Sequence, residues 1–295
     1  QDNQWGMHDY TREGAQGCTS FNEIIAKGYG EPQSAKEFAE LAQWVNYDGH
    51  RSLFESRSQN RKGLLMLMSH SCWPSMVWQT YDYYFEPTAA YFAIKKASEP
   101  LHIQWNPATD EVEVVNYSAG TRKGLTAKVQ ILNMDGSVAW EKEATVDSNE
   151  DTTNKCIKLA FPVNLSKVHF IKMVLTENGK VVSDNFYHRS LEENNYQDLR
   201  QLAKVALQST TTVDKHADGT WSAVSVIENK TSTPALMIRL NVVGNKDGQQ
   251  LLPVFYSDNY FSLLPGEKKE VRMSWKDEDT RGNEGKVLIT GYNVE

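Results

Sequence analysis

The chain has 295 residues, of which 40% are hydrophobic and 23% charged, with a formal net charge of −7. That length predicts two or three domains with real apolar cores. The acidic balance argues against a nucleic-acid partner, because phosphate contacts need clustered Lys and Arg. No uncharged run reaches the ~18 residues of a membrane span, so no membrane partner is expected.

The chain opens at Gln1 without a signal peptide, which suggests a processed product or a piece of something longer. Cys18, Cys72 and Cys156 are odd in number and far apart, which fits neither a disulfide framework nor a metal site. In residues 1–62 the clearest element is a helix opened by Ser34 with Glu37 at capping-box spacing. Phe38, Leu41, Ala42 and Val45 follow at helical intervals; Asp48-Gly49 is a candidate kink, with Leu53-Phe54 continuing the helix beyond it. Ile24–Gly28 is a weak strand candidate. Gly63–Met68 reads as a strand buried on both faces, uncharged and without alternation.

Behind that run comes SHSCWPSMVWQTYDYY, residues 69–84, with two Trp and three Tyr. Of the chain's 8 Trp, 13 Tyr and 10 Phe, 16 lie in residues 1–92, so aromatic density marks the whole N-terminal region. Pro87 stands where a helix can start, Thr88–Ala97 continues it, and Glu99-Pro100 stops it.

From Leu101 the period changes to two. Ala127, Val129 and Ile131 alternate with polar residues, as do Ile238, Leu240 and Val242, and again Val271, Met273 and Trp275. Turn signals recur at Asp135-Gly136, Asn178-Gly179, Asp218-Gly219 and Asp247-Gly248, the pattern of β-sandwiches. Ser183-Asp-Asn-Phe-Tyr187 and Ser257-Asp-Asn-Tyr-Phe261 share a pattern that hints at two similar modules. The polar stretch Leu191–Ala206, read as helical, divides them near residue 193.

A parallel strand buried on both faces needs neighbours for its N–H and C=O groups. Residues 1–62 offer none of that type, so residues 1–100 read as the end of a sheet or barrel whose earlier strands lie elsewhere. In a (β/α)8 barrel, the loop after each strand lies at the active-site face.

Here the residues carry a resemblance. Leu67-Met-Ser-His-Ser-Cys-Trp73, Pro74, Trp78-Gln-Thr-Tyr-Asp82 and Glu99-Pro-Leu-His102 resemble the end of the catalytic barrel of family 2 glycoside hydrolases, in the exo-β-D-glucosaminidase and β-mannosidase branch. Gly124-Leu-Thr-Ala-Lys-Val129, Asn133-Met-Asp-Gly136, Val174-Leu-Thr176 and Leu264-Pro-Gly-Glu267 resemble the immunoglobulin-like domains that follow it. The resemblance implies a multidomain α/β plus all-β chain: the terminal portion of a (β/α)8 barrel over residues 1–100, then two immunoglobulin-like β-sandwiches, 101–193 and 194–295. It also implies retaining hydrolysis of β-glycosides by two carboxylates about 5–5.5 Å apart. Neither carboxylate maps onto these residues, so the chain alone is expected to be inactive. The implied partners are a carbohydrate substrate and the upstream part of the same polypeptide; no cofactor is implied, and the location is secreted or periplasmic.

The substrate-binding candidates are Trp73, His70, Ser71 and Asp9. Trp73 is a sugar-stacking floor or a buried packing ring; His70 holds a hydroxyl or is a satisfied strand-end histidine. Asp9 falls, by the resemblance, in the loop after the penultimate strand. Glucosaminidases of the branch tend to carry Asn-Asn before the Trp, where this chain has His70 and Ser71, so sugar preference does not carry over. Trp78, Tyr83 and Tyr84 read as packing residues, Cys72 as an inert thiol, Asp82 as a loop cap and Asp258-Asn259 as turn formers. Two other readings stay open: a non-catalytic glycan-binding module built on the sandwiches, and a complete enzyme using Cys72 with His70, or Asp82.

Overall fold

The computed structural model describes residues 21–56, 63–74 and 79–295. Asp9, Cys18 and Trp78 lie outside the described residues. Among the described residues the α-helices are α1, Phe21–Tyr29; α2, Ala35–Ser56; and α3, Ala89–Ala97. Ser34 Oγ accepts the Glu37 N–H at 3.1 Å, and the Glu37 carboxylate accepts the Gln33 N–H at 2.7 Å. These bonds satisfy donors that an α-helix start leaves free. The weak strand candidate at Ile24–Gly28 is part of α1, whose Tyr29 ring lies 5.5 Å from that of Trp44. α2 runs through Asp48-Gly49 without ending. Asp48 turns its carboxylate to Arg51 one turn on, at 2.5 Å, instead of competing for the backbone.

Fourteen antiparallel strands follow. β1 (Leu101–Asn106), β2 (Glu111–Asn116) and β5 (Thr152–Lys158) form one sheet in the order β1-β2-β5. β3 (Arg122–Asn133), β4 (Val138–Ser148), β6 (Val168–Glu177) and β7 (Lys180–Ser190) form its partner in the order β4-β3-β6-β7. Ile103, Val112 and Val114 of the first sheet and Ala127, Val129, Ile131 and Met173 of the second fill one core.

The same plan recurs downstream. β8 (Gln208–Lys215), β9 (Thr220–Glu228), β11 (Phe255–Tyr256) and β13 (Lys268–Lys276) pair in the order β11-β13-β9-β8. β12 (Phe261–Leu263), β10 (Ala235–Gly244) and β14 (Gly285–Thr290) make the facing sheet. The second core is continuous with the helices: Leu41, Trp44 and Phe92 join Ile238, Leu240, Val271 and Trp275 in one cluster. All four turn signals sit between consecutive strands. At Asn178-Gly179 both residues have positive φ, 50° and 76°, as a two-residue hairpin turn of the strands' own twist requires.

Three expectations need correction. Residues 63–68 pair with no strand among the described residues, and Leu65 and Leu67 are 97% and 77% exposed. A strand without a neighbour has no ladder to form, so an apolar run with a strand's composition does not become one here. Leu191–Ala206 contains only a short 3₁₀ helix, Gln197–Gln201. The two Ser-Asp-Asn patterns are not equivalent, since Asn185 lies inside β7 and Asn259 lies in the connection from β11 to β12. Asn259 clamps β10 instead, accepting the Leu240 N–H at 2.8 Å and donating to its carbonyl at 3.0 Å.

Candidate functional site

The segment from Ser69 to Thr88 is folded back on itself by few but specific bonds. The Tyr81 N–H donates to Ser69 O at 3.0 Å, and the Thr88 N–H donates to Thr80 O at 2.9 Å. Asp82 closes the tip, its Oδ1 accepting the N–H groups of Tyr84 at 2.8 Å and Glu86 at 2.9 Å. Burial lifts the Asp82 carboxyl above the ordinary aspartate range, against the pull of those N–H donors. This carboxylate is a turn cap.

His70 is held on the same tip. Its ring stacks on Phe85 at 4.2 Å with planes 12° apart, and its Nε2–H donates to the Tyr83 carbonyl at 3.2 Å. Ser71 is 3% exposed, and its Oγ has no hydrogen-bond partner among the described residues. Trp73 is 47% exposed, beside an exposed Cys72. Tyr83 and Tyr84, which the sequence suggested as packing residues, face outward, as does Phe85. The structure thus brings His70, Ser71 and Trp73 onto one aromatic loop directly after an exposed apolar run. Cys156 is a different case: half-buried, its Sγ 3.3 Å from Val112 O, with burial pushing the thiol up to about 11. Among the described residues no group of His, Cys, Asp and Glu could hold a metal ion.

Elsewhere, α2 is fastened to the first sandwich by a buried polar clasp. Arg51 donates to Asn185 Oδ1 at 3.1 Å and to Phe186 O, and its guanidinium lies 4.0 Å from the Tyr187 ring centroid. Glu55 accepts from Tyr187 Oη at 2.9 Å and from Asn185 Nδ2 at 2.8 Å. His102, at the start of β1, sits between two carboxylates, Nε2 to Glu55 Oε1 and Nδ1 to Glu99 Oε2, each 3.1 Å. Burial opposes a charge on this ring, but the hydrogen bonds to Glu55 and Glu99 outweigh it and hold the imidazole above its usual 6.5. His188 is the contrast: burial drives it down to about 4, against the attraction of Asp48. Glu55 and Asn185 are 130 positions apart, so no local sequence spacing signals the clasp.

Comparison with known proteins gives this geometry a context. Residues 185–294 match the exo-β-D-glucosaminidase Ig-fold domain. An exo-β-D-glucosaminidase of Streptomyces avermitilis is 31% identical over 305 residues, covering 93% of this chain and 34% of the relative. One from Hypocrea jecorina is 30% identical, with the same coverage on both sides. The crystal structure of the Amycolatopsis orientalis exo-chitosanase superposes with a TM-score of 0.90 at 28% identity, over 99% of this chain and 39% of that one. The chain is related to the C-terminal part of family 2 glycoside hydrolases of the exo-β-D-glucosaminidase and β-mannosidase branch. It spans about a third of the length of the curated glucosaminidases it matches. In this relative of the glucosaminidases, the match to the Ig-fold domain covers β8–β14 and reaches back into β7. Among the described residues no helix is long and apolar enough to cross a membrane.

Proposed function

We propose that this chain is the C-terminal portion of a retaining exo-β-glycosidase, acting on β-linked glucosaminides, mannosides or related glycosides. In this reading residues 1–100 complete a (β/α)8 barrel, and 101–193 and 194–295 are its two immunoglobulin-like companions. Residues 63–68 pair with barrel strands of the preceding polypeptide, which also supplies the nucleophile and the acid/base carboxylate. The loop from Ser69 then forms one wall of the sugar pocket. Trp73 offers a ring face to sugar C–H groups, while His70, Ser71 and Asp9 address hydroxyls. A secreted or periplasmic location goes with this reading.

One observation carries it. Leu65 and Leu67 are exposed next to a loop of exposed rings, an apolar surface of the kind that soluble chains keep for a partner. The alternative enzyme built on this chain alone has less support, because Asp82 is occupied by backbone N–H groups and His70 Nε2 by the Tyr83 carbonyl.

The test is hydrolysis of p-nitrophenyl β-D-glucosaminide and β-D-mannoside by the intact polypeptide and by residues 1–295 alone. Turnover is expected from the intact polypeptide only. Turnover by the short chain defeats the reading, and turnover by neither favours a glycan-binding module. Trp73→Ala in the intact polypeptide is expected to raise KM or lower kcat by about 10-fold or more at unchanged Tm. Unchanged kinetics remove the stacking role.

A further inference from the structure

The loop at Ser69–Thr88 is joined to the second sandwich through one carboxylate. Glu86 Oε1 accepts Asn241 Nδ2 at 2.7 Å and a second hydrogen bond from Arg239 Nη2. Strand alternation explains why the two donors converge. Arg239 and Asn241 stand two apart on β10, on the face opposite the core residues Ile238, Leu240 and Val242. Their platform is stiff, because β10 is the central strand of its sheet, with Arg239 opposite Thr290 and Asn241 opposite Leu288 on β14. Leu240, between them, is gripped on both backbone groups by Asn259. The Glu86 side chain is 13% exposed, so solvent screens this charge-assisted contact only in part.

On the loop side, Glu86 closes the Asp82 turn. Its N–H donates to Asp82 Oδ1 at 2.9 Å, and its carbonyl accepts the Asp82 N–H at 3.0 Å. Phe85, one residue before, has a φ of 66°, a left-handed backbone that costs free energy for a residue with a Cβ. It persists because its surroundings hold it. The Phe85 N–H donates to Asp82 O at 3.1 Å, and its ring is stacked on His70. Isolated bridges pair His70 with Tyr81 and Tyr81 with Pro87, so His70 and the residue after Glu86 share one small ladder. A shift of Glu86 therefore moves the ring beside His70 and the backbone next to Ser71 and Trp73.

We propose that Glu86, gripped by Arg239 and Asn241, is a positioning residue for glycoside turnover, through which the second sandwich sets the placement of His70, Ser71 and Trp73. The inference rests on the catalytic reading above and gives the terminal sandwich a part in it, as the support of the pocket wall. A loop that occupies its binding-competent placement only part of the time weakens apparent affinity by that fraction. Contacts made alike to substrate and transition state act on KM more than on kcat, so KM is where a loosened wall is read.

The experiment measures hydrolysis of p-nitrophenyl β-D-glucosaminide and β-D-mannoside by the intact polypeptide and its variants. Glu86→Ala is expected to raise KM about 10-fold with kcat within about 2-fold. Glu86→Gln keeps an acceptor oxygen and is expected to stay within about 2-fold of wild type in KM. Asn241→Leu removes one donor from a half-buried position and is expected to raise KM about 3-fold; it decides the matter where Glu86→Ala does not fold. Trp73→Ala is expected to cost at least about 3-fold less in the Glu86→Ala background, where the ring is no longer held in place. Amide exchange at Tyr81, Glu86 and Thr88 is expected to quicken in Glu86→Ala, while Leu240, bonded to Asn259, keeps its rate. A lower Tm with unchanged KM and additive Trp73 effects makes Glu86 merely structural and overturns the assignment. Glu86→Gln as impaired as Glu86→Ala points to chemistry at the carboxylate itself and overturns it too. Absence of wild-type turnover defeats the catalytic reading and this role together, whereas wild-type turnover with unchanged Glu86→Ala kinetics defeats this role alone.

Discussion

Between α2 and β7 the chain buries Arg51, Glu55 and His102 and gives each of them partners from its own residues. At Leu65, Leu67, Trp73, Tyr84 and Phe85 it does the reverse, turning large apolar side chains outward. Buried charge is tolerated only when paired and hydrogen-bonded, and exposed apolar surface costs free energy that a stable monomer avoids in large patches. One surface is therefore complete within this polypeptide, and the other has the character of half an interface.

The sharpest way to break the comparison is Glu55→Ala. It leaves the His102 ring facing a cavity and removes the acceptor for Tyr187 and Asn185, so a loss of about 3–5 kcal/mol is expected in urea unfolding. A loss below about 1 kcal/mol means that the clasp is not a closed interface. Leu67→Lys probes the other surface. In residues 1–295 alone the change is expected to stay within about 0.5 kcal/mol, as for other exposed positions. In the intact polypeptide it is expected to cost at least about 2 kcal/mol, by placing a charge inside a sheet. Equal effects in the two backgrounds erase the distinction between the surfaces.

A titration sharpens the first half. The native His102 pKa lies above its unfolded value, so its stabilisation is fully present below about 6.5 and is lost as pH rises through the native pKa. The urea midpoint is expected to fall over that window, and His102→Gln is expected to flatten the fall. The smallest effect is that of Asp82→Ala, which frees two N–H groups at a partly exposed turn and is expected to cost about 1 kcal/mol. Hydrogen exchange should then quicken at Tyr84 and Glu86 and stay unchanged in β7.

Much of this was legible where the signal is local. Ser34 and Glu37 announced α2, and the alternations at Ala127–Ile131 and Ile238–Val242 marked strands that bury those residues. The four Gly-containing turns fell at hairpin positions for the same reason: positive φ is a property of one or two residues. What was not legible depends on distant partners. Gly63–Met68 has a strand's composition, but pairing is decided by neighbours that no residue in the run encodes. The Ser-Asp-Asn pattern misled because the same side chains serve a strand at Asn185 and a clamp at Asn259. In the candidate site the sequence picked out His70, Ser71 and Trp73, and the structure places them on one loop. It had no means of finding that Phe85 stacks on His70 or that Glu55 reaches Asn185.

The outward-facing leucines also govern how the molecule behaves in a tube. Produced by itself, the chain offers Leu65 and Leu67, on backbone that pairs with no strand among the described residues, to other copies, and unpaired apolar edges recruit one another. These few side chains, more than the acidic surface, are expected to set its practical solubility ceiling. Oligomers that grow with concentration, and that dissolve when the proposed upstream barrel polypeptide is supplied in trans, would be their signature.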